Sequence, residues 1–395
     1  MRTFFLLLIL CSNAIGQEVR KALPVEGETS TWDTRAKFLA GIPLAIGEPL
    51  AKLQSHSGYQ AHAAEFEKMW ARYNEHYFSK MRAWSAAELA PRISMGMPVY
   101  YFFGGPDAIS PLAFFPDAPD YILGGLEPIG WAPDPASLAP PVLEAALQNL
   151  RLSTNEILSF GFFITKDMKA ELAAGEFKGV TPILLAFLAM SGSEVIDVSY
   201  FGVKGDGRTG ESGSRPRETK GELPGVMITF RRNALSGAQR LHYVQANVAD
   251  GALHGSGGIL RWAEQFGSGN VYFKAASYLL HESSFSRIRG FLLGRAQSVL
   301  QDDSGMPFSF FQNGEWRIWF FGRYSGTLDI FKQYHQPVLM DAFRVSGASL
   351  PFGTGYKWRL GESNLLLAVK QAPPRAEPVT PSSAEKKAPS ETGGL

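Results

Sequence analysis

The chain has a single cysteine, Cys11, and it sits inside the apolar N-terminal segment. Removing that segment leaves no thiol, which excludes disulfides, thiolate nucleophiles and cysteine metal sites from the mature protein. Such a chain suits an oxidising compartment, where a stray thiol is a hazard. Excess charge of either sign is also missing, with 38 Lys and Arg against 37 Asp and Glu. No net field draws nucleic acid or an anionic membrane, so neither is expected as a partner. A second long apolar run is absent. The longest after the N-terminus, Ile183 to Met190, is too short to span a bilayer and reads as a buried helix. Neither G-x-S-x-G nor zincin spacing occurs, and His242, His254, His281 and His335 are too scattered to argue for a metal.

What is present begins with Met1 and Arg2, an apolar stretch from Phe4 to Leu10, and small residues up to Gly16. This is the pattern of a signal peptide over residues 1–16, with the mature chain starting near Gln17 in the periplasm or outside the cell. Bulky Leu10 precedes Cys11 where lipoprotein processing wants a small residue, which points away from a lipid anchor. Residues 17–370 are expected to form one globular α/β domain. Past Lys370 the chain turns to Pro, Ala, Ser, Glu and Lys, too poor in apolar residues to offset its chain entropy, and residues 371–395 are expected as a disordered tail. Residues 204–225, dense in Gly, Arg, Glu and Ser, read as a mobile surface loop.

Helical spacing appears at Phe66, Met69, Trp70, Tyr73 and Tyr77, again at Ile259, Trp262, Ala263 and Phe266, and again at Phe285, Ile288, Leu292, Ala296 and Val299. Short β-branched and aromatic runs mark strands at 99–103, 120–123, 195–203, 226–231, 240–246 and 271–275. Phe308 to Gln312, Asn313-Gly314 and Trp316 to Phe321 spell a β-hairpin. Together these predict a mixed sheet with helices packed on it, an α/β fold that is Rossmann-like in part, with antiparallel additions and a β-hairpin.

Three blocks carry polar residues beside glycine. Strand 99–103, Gly104-Gly105-Pro106-Asp107, and a second strand ending in Gly124-Gly125-Leu126-Glu127 have the layout of a nucleotide-binding half, in which the acid meets a ribose. Against that stand the missing G-x-G-x-x-G, stiff Pro106, Pro111 and Pro116, and export itself, so no organic cofactor is expected. The bland reading makes Asp107 a helix cap and Glu127 a turn residue. In the second block Lys274 lies in an apolar strand and needs a carboxylate, Glu127 or Asp302, with His281 just beyond. In the third, Asp302 and Asp303 are expected at the C-terminus of the Phe285 helix, opposing its dipole and calling for a cation or a ligand. Asp107, Glu127, Lys274, His281, Asp302 and Asp303 are therefore the candidate catalytic set around one cleft.

The blocks Gly-Gly-Pro-Asp at 104–107, Phe-Phe-Pro at 114–116, Gly-Leu-Glu-Pro at 125–128, Lys-Ala-Ala-Ser-Tyr-Leu-Leu-His at 274–281 and Gln-Asp-Asp-Ser-Gly at 301–305 resemble those of a group of exported bacterial proteins. The resemblance implies export and no particular activity. The expected function is a polar cleft that binds or acts on a small-molecule ligand of the envelope or medium. A non-catalytic binding or scaffold protein is the alternative, and a methyltransferase-like or dehydrogenase-like relic a more distant one.

Overall fold

The computed structural model describes residues 31–132, 134–160, 175–213, 215, 219–256 and 258–371. The expected signal peptide, residues 1–16, and the expected tail past Gln371 lie outside the described residues. The described chain builds an 11-stranded mixed sheet: β1 (Val99–Tyr101), β2 (Asp120–Gly125), β3 (Glu194–Val203), β4 (Thr209–Gly213), β5 (Leu223–Arg231), β6 (Gln239–Gln245), β7 (Gly269–Phe273), β8 (Ala296–Gln301), β9 (Trp316–Gly322), β10 (Gly347–Ala348) and β11 (Asn364–Lys370). The order across the sheet is β10-β9-β11-β8-β7-β1-β2-β6-β5-β3-β4. Five central strands, β6-β2-β1-β7-β8, run parallel. Numbered by their own succession they read 3-2-1-4-5, the order of a doubly wound sheet. Antiparallel additions extend both sides, β5, β3 and β4 on one and β11 and β9 on the other.

Alternation along the central strands explains why both faces are covered. Tyr101, Tyr121, Leu123 and Tyr272 point into one core, shared with the helices Thr31–Leu39, Ser57–Tyr73, Pro140–Phe160 and Thr181–Met190. Tyr100, Phe102, Ile122 and Val271 point into the other, under the helices Gly258–Glu264, Ser286–Arg295 and Pro337–Ser346. All ten residues of Thr181–Met190 are buried, as its unbroken apolar run demands, and Pro182 opens it where no helical N–H is needed. Among the described residues no helix is long and apolar enough to cross a membrane.

Three expectations need correction. The Phe285 helix stops at Arg295, and Ala296 turns extended (φ −65, ψ 126) to begin β8. Ala296 and Val299 continue the helical spacing only because they face the same core as Ile288 and Leu292. Asp302 and Asp303 therefore follow a strand, and the helix-dipole argument does not apply to them. Second, Phe308–Phe311 is a 3₁₀ turn rather than a hairpin arm, with Phe308 and Phe311 eclipsed and both buried. β9 pairs with β11 instead. Third, 204–225 is not an unstructured loop throughout, because β4 folds back on β3 through a tight turn closed by the Gly207 N–H on Lys204 O. That β3-β4 pair supplies a hairpin at a place where none was expected.

Candidate functional site

In a doubly wound sheet the chain leaves β1 toward β2 on one side and later returns to β7 on the other, which opens a crevice at the carboxyl ends of these strands. A cavity of about 140 Å³ occupies that place, bounded by the turn after β1, the end of β2 and the turn after β7. One buried water needs roughly 10–15 Å³ on this measure, so the space holds on the order of ten.

Glycine makes the crevice possible. A Cβ on Gly104 would stand 2.1 Å from the Tyr101 ring. A Cβ on Gly125 would stand 2.4 Å from Glu127 Oε2, 2.8 Å from the Tyr243 hydroxyl and 2.9 Å from Gly105 Cα. Gly105 itself has φ +50, a conformation glycine takes without penalty. Glu127, only 1 % exposed, has its carboxylate beside Gly125, the last residue of β2. Its carboxylate accepts the Tyr243 hydroxyl at 3.1 Å. Burial, then Glu127, holds the Tyr243 phenol well above its usual range.

Asp107 is the hub of a second group. It accepts Lys274 Nζ at 2.5 Å, the Tyr101 hydroxyl at 3.1 Å, and both the N–H (3.2 Å) and the hydroxyl (2.9 Å) of Ser110. Asp107 stands one residue before Ala108, the N-cap of the six-residue helix Ile109–Phe114, and satisfies the Ser110 N–H in its first turn rather than capping it from the N-cap position. Lys274 finds its carboxylate here rather than in Glu127 or Asp302, because β7 lies directly beside β1. Lys274 also donates to Ser110 Oγ at 3.1 Å. Ser110 in turn donates its own proton to Asp107 at 3.0 Å, so the three side chains form one closed set of bonds.

The turn after β7 has an unusual backbone. Ala275, Ser277 and Tyr278 have φ of 51, 54 and 55 and are the only left-handed non-glycine residues among those described. Each costs about 1–3 kcal/mol and persists only when its surroundings dictate it. Here they do. Asp302 Oδ2 accepts the Ala275 N–H at 2.9 Å, Ser304 Oγ accepts the Ala276 N–H at 2.7 Å, and the Tyr278 hydroxyl donates to Asp303 Oδ2. Asn364 Nδ2 donates to Asp303 Oδ1 at 2.8 Å. Burial first, and then Asp303, pushes the Asp302 carboxyl above the ordinary carboxylate range, and burial does the same to Asp303. His281 lies in the following 3₁₀ turn, its ring against Tyr278 and Tyr334, and burial and Arg289 lower it to about 4.

The six candidates thus divide. Asp107, Glu127 and Lys274 line the cavity, while Asp302 and Asp303 stand behind the turn that walls it and His281 lies farther along that turn. Among the described residues no group of three or more His, Cys, Asp or Glu could hold a metal. Tyr101 and Tyr243 on strands, Ser110 in a short helix and Ser304 in a turn were missed because single hydroxyl residues carry no spacing signal. Ser304, adjoining two acids, offered the only hint. No protein-family model, curated protein or solved structure matches the chain.

Proposed function

We propose that the chain binds a nucleoside-class ligand in the crevice between β1, β2 and β7, with Glu127 accepting hydrogen bonds from the ribose hydroxyls. The carrying observation is the buried Glu127 carboxylate beyond the end of β2, set beside Gly125 in a sheet whose parallel strands have 3-2-1-4-5 order. An acid beyond the second strand of such a sheet is where ribose hydroxyls are met. Phe103, Leu126 and Phe285 add apolar wall for the base.

The same geometry argues against a pyrophosphate. In dinucleotide sites the phosphates sit on the N-terminus of the helix after β1. Here that helix is only six residues long and the Ser110 N–H of its first turn is already taken by Asp107, so it offers a phosphate little. The ligand class is thus a nucleoside without phosphate at this turn. On the N-terminal pattern we further propose an exported chain. Export excludes a resident cytoplasmic cofactor, so the ligand on this reading is a nucleoside of the envelope or medium.

A thermal-shift panel tests the reading on the purified mature chain, with nucleosides, simple hexoses and nucleoside triphosphates as its three arms. Nucleosides should raise the melting temperature and triphosphates should do so less. A shift confined to hexoses, or larger for triphosphates, contradicts it.

A further inference from the structure

We propose that Asp302, Asp303 and Ser304 are positioning residues of the cleft: they clasp the left-handed turn Ala275–Tyr278 and fix the wall that it forms. The inference rests on the cleft reading above and adds residues that do not line the cavity.

Three observations converge. Ala275, Ala276 and Ser277 line the cavity, immediately after Lys274, so the turn's backbone sets the shape of one wall. Its left-handed residues lie in conformations that an L-residue leaves unless held. Consecutive side chains at the end of the neighbouring strand β8 hold it at three points, the N–H groups of Ala275 and Ala276 and the hydroxyl of Tyr278. Ser304 Oγ in turn donates to Asp302 Oδ1 at 2.5 Å, so the clasp is itself cross-linked. Tyr356 closes the outside, donating to Ala275 O at 3.0 Å and meeting Ser277 Oγ at 2.8 Å. Gly355 makes room, since a Cβ there would stand 2.1 Å from Asp302 Oδ2.

Stability alone does not select this arrangement. Two adjacent carboxyls, 2 % and 9 % exposed, are costly to bury and repel one another when both ionise. A strained turn held by costly groups beside a cavity indicates that the turn's shape is what is used. Asp302 and Asp303 then act through the wall rather than on the ligand.

The test uses the full mature chain, adenosine as probe, and hydrogen exchange of the Ala275 and Ala276 amides. Asp302→Asn and the milder Ser304→Ala should speed exchange at these amides and weaken adenosine binding about tenfold, with the circular dichroism spectrum retained. Ala275→Gly relieves strain, so adding it to Asp302→Asn should restore the melting temperature but not the affinity. A merely structural pair would recover both. Unchanged exchange in both clasp variants overturns the clasp. Faster exchange with adenosine affinity within twofold of the parent overturns its positioning role. If the parent chain binds no adenosine, the nucleoside reading falls, and exchange alone then decides whether the three residues hold the turn.

Discussion

Lys274 Nζ and Asp107 Oδ2 stand 2.5 Å apart, joining the residue that follows β7 to the residue that ends the glycine turn after β1. Both side chains are buried, at 7 % and 2 % exposure. The pair therefore ties together two of the strand ends between which the crevice opens.

Removing one partner leaves a buried charge alone, which costs about 3–5 kcal/mol. Lys274→Met and Asp107→Asn should each lower stability in urea unfolding by about that much. The double variant should lose less than the sum, because neither charge is then orphaned. Additive losses would show that the two groups do not depend on each other.

The buried acids give a pH dependence of defined sign. Asp302 has its carboxyl raised above 3.8 by burial and by Asp303, so the folded state holds more protons than the unfolded state between 3.8 and the raised value. Stability from this pair is thus greatest in acid and falls as pH rises through that window, by up to about 1.4 kcal/mol per pH unit for each group. His62 and His281, lowered from 6.5 to about 4 chiefly by burial, act oppositely and lose stability as pH falls between those values. The readout is accordingly the difference between the parent and Asp302→Asn. Relative to the parent, the variant should gain stability as pH rises from 4 toward neutrality. A difference that does not change with pH contradicts the raised carboxyl.

Gly125→Ala should close the crevice. Its Cβ meets Glu127 Oε2, the Tyr243 hydroxyl and Gly105 Cα within 3 Å, so the acid and the glycine turn must part. We expect loss of adenosine binding in titration calorimetry, together with about 1–3 kcal/mol of destabilisation from overpacking. Retained affinity would place the ligand elsewhere.

Much of the fold was legible because burial leaves periodic marks. β1, β2, β6 and β7 stand out as short runs between glycine, proline and aspartate, and the helices at 57–73 and 181–190 as apolar stripes or blocks. β8 was hidden because Ala296 and Val299 prolong the stripe of the preceding helix, and this misplaced the setting of Asp302 and Asp303. The glycine turn and Glu127 were visible as a nucleotide-binding layout. The partner of Lys274 was not, since which strands become neighbours is a matter of long-range topology that local spacing does not encode. The left-handed turn was equally silent, because Ala275, Ser277 and Tyr278 carry no glycine to announce it.

The N-terminal pattern predicts a mature chain that starts near Gln17 without a lipid. Intact-mass measurement on the exported protein should give the mass of residues 17–395. A diacylated Cys11 at the N-terminus would contradict the assignment.

On the proposed function the Glu127 carboxylate receives a ribose at the switch point. Calorimetric titration of adenosine and 2′-deoxyadenosine into the parent chain and Glu127→Gln tests it most directly. The expected result is saturable binding of adenosine by the parent, weakened about tenfold or more by loss of the 2′-hydroxyl, with that preference abolished in Glu127→Gln. Equal affinity for the two nucleosides in the parent, or a preference untouched by the substitution, would contradict it.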